Sequence, residues 1–160
     1  MQGQMVERWT QKDVTRWIAG ACAGLFAGAA MLVFSMVLSA AFGGDAWGPA
    51  KISAVPFLGG KAMAYGNSTG ILVGVIVHEV LAMVLGIIYA HFAFTNSLPA
   101  LLGVGFTWGA FSWVFLNNLY TNSFREVLVQ SLPAGQAFFS CMVFGITLSS
   151  VAFFDRMLRR

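Results

Sequence analysis

The stretch GILVGVIVHEVLAMVLGIIYAHFAF, residues 70–94, is apolar over the whole length that a helix needs to cross a bilayer, and it carries an ionisable pair, His78 and Glu79. A membrane-spanning helix requires about 20 predominantly apolar residues. Ionisable side chains inside such a segment are rare, and they usually mark a functional site or a contact with protein. This stretch therefore predicts a transmembrane helix with a polar site, which would lie about 12–14 Å from its outer end at 1.5 Å per residue.

Small residues recur at fourfold spacing along this stretch and along the first apolar run of the chain. Residues four positions apart lie on one face of a helix, and small side chains let two backbones approach closely. His78 is on the same face, so we expect it to contact protein rather than lipid. For the first run, packing inside the chain and packing against a partner are both open. The predicted helix-packing positions are Gly20, Gly24, Gly28, Gly70, Gly74, Ala82 and Gly86.

The composition predicts an integral membrane protein, since 58% of the 160 residues are hydrophobic and only 9% are charged. Soluble domains are about one quarter charged. We expect an all-α four-helix bundle that forms a single transmembrane domain over residues 1–160. The helices are predicted near 17–42, 70–94, 98–119 and 134–154, with outer loops at 43–69 and 120–133.

The first outer loop contains an apolar segment, AWGPAKISAVPFL at 46–58, that is too short to span the bilayer. Pro49 suits the first turn of a helix, and Pro56 is close to its end. We expect a short interfacial or re-entrant helix here. It either anchors the loop at the membrane or covers a cavity that opens outward.

The distribution of basic residues predicts that both termini are cytoplasmic, because Lys and Arg accumulate on the cytoplasmic side. Six of them flank the termini, namely Arg8, Lys12, Arg16, Arg156, Arg159 and Arg160. Three lie in the two outer loops, namely Lys51, Lys61 and Arg125. The terminal arginines are interpreted as topology signals that contact lipid headgroups, and we expect no binding to nucleic acid.

The sequence WGPAK at 47–51, followed by the glycine-striped helix with His78, resembles small four-helix proteins of the bacterial inner membrane that are themselves uncharacterised. The resemblance covers the first half of the chain best. It implies a multi-pass fold in a bacterial inner membrane, and it implies no activity.

Alternation of the four helices would bring several polar residues to the outer half of the bundle. This argument fixes the height of each side chain and leaves its rotation about the helix open. A charged Glu79 would need protonation, water or a cationic partner, for which Lys51, Lys61 and Arg125 are candidates. The predicted polar intramembrane site consists of His78, Glu79, Asn117, Asn118, Gln136 and Ser140.

Three functions fit these features. The first is a non-catalytic subunit that packs with other integral membrane subunits in a larger complex, for which a respiratory assembly is the expected type. The second is a small proton, ion or solute transport protein that uses His78 and Glu79. The third is a haem- or quinone-binding protein with Trp108 and Trp113 near His78. No catalytic, nucleotide-binding or metal-binding signature is visible, so we expect neither an enzyme nor a cofactor.

Overall fold

The computed structural model describes residues 13–93, 95, 97–131 and 133–160, and of residues 117 and 119–131 it describes the backbone alone. Within these ranges the chain is helical and contains no strand. The helices are α1 (Val14–Ala41), α2 (Gly48–Leu58), α3 (Ser68–Phe92), α4 (Leu98–Ser131), α5 (Ala134–Thr147) and α6 (Val151–Leu158). Short 3-10 turns at Gly59–Met63 and Leu148–Ser150 follow α2 and join α5 to α6.

Four helical segments are long and apolar enough to cross a membrane, which confirms the prediction of an all-helical chain with four candidate spans. They are Val14–Ala41, Ser68–Phe92, Leu98–Leu116 and Ala134–Leu158. The last span includes α5, its 3-10 turn and α6. These spans are compatible with a multi-pass membrane protein.

Helix α4 is longer than the sequence analysis predicts. Residues 120–133 are predicted as an outer loop, whereas the helix continues to Ser131. No glycine or proline interrupts the sequence between Ala110 and Ser131, and Pro133 comes two residues after the last helical residue. At 1.5 Å per residue its 34 residues extend over about 51 Å, so its polar second half reaches beyond the apolar part.

The two ends of the bundle differ in their connections. The end with Asp13, Ala93 and Arg159 is called the terminal end, and the end with residues 42–67 is called the loop end.

Two of the helices have a side-chain cap at their N-terminus. Helix α1 is capped by Asp13, whose carboxylate accepts a hydrogen bond from the backbone N–H of Arg16 at 3.0 Å. Helix α3 begins at Asn67, whose side chain accepts one from Gly70 at 3.0 Å. Such N-caps satisfy helix donors that have no partner inside the helix.

Helix α1 is the centre of the bundle, because it packs on α3 along one side and on α5 and α6 along another. Helix α4 packs mainly on α5. Glycines form the closest approach of α1 to α3 and that of α4 to α5. A Cβ added at Gly86 of α3 would lie 2.4 Å from the carbonyl oxygen of Gly20, and one added at Gly105 of α4 would lie 2.3 Å from that of Gly145. The backbones are therefore nearly in contact at these points.

An ion-pair network joins the first and last helices at the terminal end. Arg16 donates to Asp155 at 3.2 Å and to the backbone oxygen of Ala93. Arg159 donates to Asp155 at 3.0 Å and forms a second ion pair with Asp13. The hydrogen bond from the Arg16 backbone and the Arg159 side chain together hold the pKa of Asp13 below its usual value of 3.8. Two of the arginines predicted as topology signals thus also make structural contacts.

Candidate functional site

The small-residue face of α3 contacts two different partners along its length. Near the loop end, a Cβ added at Gly70 would lie 2.5 Å from the backbone oxygen of Ala62, and one at Gly74 would lie 1.9 Å from that of Ala50. Nearer the terminal end, Ala82 and Gly86 face α1. Helix α3 therefore packs first on the 48–63 segment and then on α1, and His78 lies where one partner gives way to the other.

His78 reaches across to the backbone of α1. Its Nε2 lies 3.1 Å from the carbonyl oxygen of Gly28. A carbonyl oxygen only accepts hydrogen bonds, so this contact places the imidazole proton on Nε2. Nδ1 then carries a free lone pair, and among the described residues it has no hydrogen-bond partner. A neutral imidazole in this arrangement is oriented by α1 and keeps one nitrogen open for a proton or a ligand.

Glu79 approaches the same residue of α1, Gly28. Its Oε2 lies 2.9 Å from the position that a Cβ on Gly28 would occupy, so the absence of a side chain there makes room for the carboxylate. The side chain is half-buried, between the packed face of α3 and the exposed residues Ile76 and Val80. In the part of the chain that the structure describes, Glu79 has no hydrogen bond or ion pair.

The three cations expected as partners of Glu79 are found in three different situations. The Lys51 ammonium donates to Asp45 at 2.7 Å and to the backbone oxygen of Ala64 at 3.1 Å. Lys61 is exposed in the 3-10 turn, and the side chain of Arg125 lies outside the described residues. Glu79 is therefore not neutralised by Lys51.

The buried side chain of Lys51 links the two ends of the 42–67 connection. Its side chain is only 2% exposed, and its two acceptors precede and follow α2, so one ammonium group joins the two arms of the loop. Its hydrogen bond and charge hold the pKa of Asp45 below 3.8. Eight of the eleven residues of α2 are buried, so this helix packs within the bundle rather than on its surface.

The predicted polar residues of α5 form a separate cluster with α1. Ser35 donates to the Ser140 hydroxyl at 2.6 Å, and Ser140 donates to the backbone oxygen of Gln136 at 2.8 Å. The Gln136 amide donates to the backbone oxygen of Ser35 at 2.8 Å and to Ser39 at 3.4 Å. All four residues are buried. We call this group the α1–α5 polar seam, and its hydrogen bonds are satisfied within the chain.

The described members of the predicted six-residue site lie in different parts of the structure. His78 and Glu79 both approach Gly28, whereas Gln136 and Ser140 belong to the polar seam. Asn118 is exposed and donates to the carbonyl oxygen of Val114 in its own helix at 2.8 Å. The side chain of Asn117 lies outside the described residues.

Ser35 and Ser39 were not predicted as part of this cluster. Their signal in the sequence is two serines four positions apart in an apolar helix, which places both hydroxyls on one face.

The two histidines of α3 lie in different surroundings. His91 lies near the terminal end, where its Nδ1 accepts a hydrogen bond from the indole of Trp17 at 3.3 Å. It thus lies far along α3 from His78. No group of three or more His, Cys, Asp or Glu side chains in the described ranges is placed to hold a metal ion.

Comparison with known proteins leaves the resemblance to small bacterial inner-membrane proteins as a prediction. No protein-family model matches the chain, and neither the curated proteins nor the solved structures contain a significant match to it.

Proposed function

We propose that this protein is a non-catalytic integral membrane subunit that packs against a further transmembrane helix along the edge between α1 and α3. The observation that carries this proposal is the position of Glu79, which is half-buried and, among the described residues, has no polar partner. A charged carboxylate in hydrocarbon costs about 3 kcal/mol even on insertion-based scales. A donor or cation from another chain would remove that cost.

The small-residue contacts support this assignment of the edge. Gly20 and Gly24 pack on α3 inside the chain, so they are not available to a partner. The partner surface is instead the neighbouring exposed row of α3, with Ile76 and Val80 on it and Glu79 at its border. Association there would combine apolar packing with a hydrogen bond to one carboxylate.

The proposed setting is a bacterial inner membrane with the terminal end in the cytoplasm. Six of the nine basic residues belong to the two terminal segments, which favours this orientation. Helix α2 would then be a re-entrant helix that enters from the outer side and returns there. Reporter fusions after Lys61 and after Arg160 should report opposite sides of the membrane, and the same side for both would contradict this topology.

The test of the subunit proposal is purification of the tagged full chain from its native membrane in a mild detergent, followed by sizing and mass spectrometry. We expect the wild-type chain to elute with a larger assembly and the Glu79→Leu variant to elute without it. Glu79→Gln, which keeps an acceptor and adds a donor, should retain part of the assembly. Val104→Ala is the matched control, because it shortens an exposed valine of α4 that is not part of the proposed partner surface, and it should behave as wild type.

Proton or cation transport is the second candidate, and it is favoured by His78 Nδ1 and Glu79, neither of which has a hydrogen-bond partner among the described residues. These two groups are adjacent in sequence, and either one can exchange a proton. If the purified chain is monodisperse alone and moves protons across liposome membranes, and Glu79→Gln abolishes the flux, transport replaces the subunit proposal.

A further inference from the structure

Two polar groups of α4 are buried and have no hydrogen-bond partner among the described residues, and both lie on the same face of the helix. They are the indole Nε1–H of Trp108 and the hydroxyl of Ser112, which is 1% exposed. Positions four residues apart are neighbours on a helix surface. Leaving a buried donor unsatisfied costs about 1–3 kcal/mol, and most buried polar groups in proteins have a partner. Two unsatisfied donors one helical turn apart therefore point to an acceptor that binds next to both of them.

The surroundings of these two donors are aromatic. The ring of Tyr89 from α3 packs edge-on against Trp108, with centroids 6.0 Å apart. On the other side Trp108 contacts Phe111 at 5.2 Å, and Phe111 stacks on Phe115 with an interplanar angle of 18°. Phe111 and Phe115 are 51% and 41% exposed. A row of ring contacts thus connects the exposed side of α4 with the partly buried indole of Trp108.

The described parts of α3 and α4 share few backbone contacts. The backbones of α3 and α4 stay apart, in contrast to the close contacts of each with its main partner. The Tyr89 side chain makes the connection, since its hydroxyl donates to the backbone oxygen of Leu101 at 3.0 Å. A flat ring that reaches the helix pair from the bilayer would meet aromatic faces first and the two donors next.

We propose that α3 and α4 bind a planar conjugated carbonyl compound of the quinone class from the bilayer, with Trp108 Nε1–H and the Ser112 hydroxyl donating to its carbonyl oxygen. The carbonyl supplies the acceptor that both groups lack, and the ring packs on Tyr89, Trp108 and Phe111. The proposal concerns binding alone. It is independent of the partner contact at Glu79.

The test is equilibrium dialysis of the purified full chain in detergent micelles with menadione, with empty micelles correcting for partition. The matched probe is 2-methylnaphthalene, which has the fused rings and methyl group and lacks the carbonyls. We expect saturable binding of menadione and only partition of the hydrocarbon. Ser112→Ala and Trp108→Phe should each weaken menadione binding about fivefold, the effect of one net hydrogen bond. Trp113→Phe, on a different face of α4, should leave it unchanged.

Two results would overturn the proposal. One is equal uptake of menadione and 2-methylnaphthalene, which would show partition into an apolar crevice. The other is wild-type affinity in both Ser112→Ala and Trp108→Phe, which would assign the two donors to a buried water. Circular dichroism of each variant establishes that it is folded, and Ser112→Ala removes a single buried oxygen, so the comparison does not depend on Trp108→Phe alone.

Discussion

Replacement of Gly74 by alanine tests the placement of α2 against α3. The Cβ added at this position would lie 1.9 Å from the carbonyl oxygen of Ala50 and 2.7 Å from its carbonyl carbon. Real Cβ contacts are rarely closer than 3.0 Å, so the two backbones would have to separate by about 1 Å. No side-chain rotation relieves the clash, because the atoms met are backbone atoms.

The size of the expected loss of stability follows from the kind of atom that the added Cβ would meet. Overpacking a tight interior costs about 1–3 kcal/mol, and a backbone contact belongs at the upper end of that range. Gly103→Ala is the matched control, since Gly103 is also helical and a Cβ there has no atom within 4 Å. Helix propensity alone favours alanine over glycine by up to about 1 kcal/mol. We therefore expect Gly74→Ala to be about 3 kcal/mol less stable than Gly103→Ala.

The assay is reversible unfolding in mixed micelles with increasing dodecyl sulfate, followed by circular dichroism and by tryptophan fluorescence. Trp47 precedes α2 directly, so its emission reports on that helix once the other four tryptophans have been replaced by phenylalanine in both variants. A difference in the free energy of unfolding below about 1 kcal/mol between the two variants would refute the reasoning, because α2 would then not be seated on Gly74.

Three further outcomes are expected. Ser140→Ala should lower the free energy of unfolding by about 1 kcal/mol, because it removes the acceptor of a buried hydroxyl; an unchanged unfolding curve would contradict this. His78→Leu should reduce stability more than His91→Gln, since leucine loses the hydrogen bond of His78 to the backbone of α1, whereas glutamine at position 91 keeps an acceptor for Trp17; thermal denaturation of both variants gives the ranking, and the reverse order would count against the contact. The pKa of Asp45 is lowered by its hydrogen bond with Lys51, so its stabilising effect is present above pH 3.8 and is lost as the pH falls through the lower, folded-state pKa. Asp45→Asn should accordingly flatten the acid limb of a plot of melting temperature against pH, and an identical acid limb would oppose this assignment.

The fold was largely predictable because it depends on amino-acid composition and on the regular spacing of small residues along the helices. Apolar length gives the spans, and the fourfold spacing identifies a packing face on α3. The spacing does not identify what occupies that face. Gly74 and Gly86 belong to the same row, yet one meets α2 and the other meets α1. Only the position of the loop helix distinguishes them, and that position depends on contacts distant in sequence.

The candidate site was less predictable, because depth in a helix bundle does not determine rotation. Gln136 and Ser140 share a height with other polar residues, but their side chains turn toward the serines of α1. Lys51 was expected as a counter-ion for Glu79, and it pairs with Asp45, six residues before it in sequence. A short loop contact of this kind competes with any longer-range partner, since it requires less ordering of the chain.

The pairing of α4 with α5 bears on how the chain is assembled during synthesis. Helix α3 finds α1 already made when it emerges, whereas the close partner of α4 is the helix that follows it. Gly105 and Gly109 of α4 pack on Gly145 of α5, which is synthesised after them. We therefore expect the bundle to form by docking of two halves, α1 with α3 and α4 with α5, with the buried hydroxyls of α1 and α5 fixing the register in which the halves join.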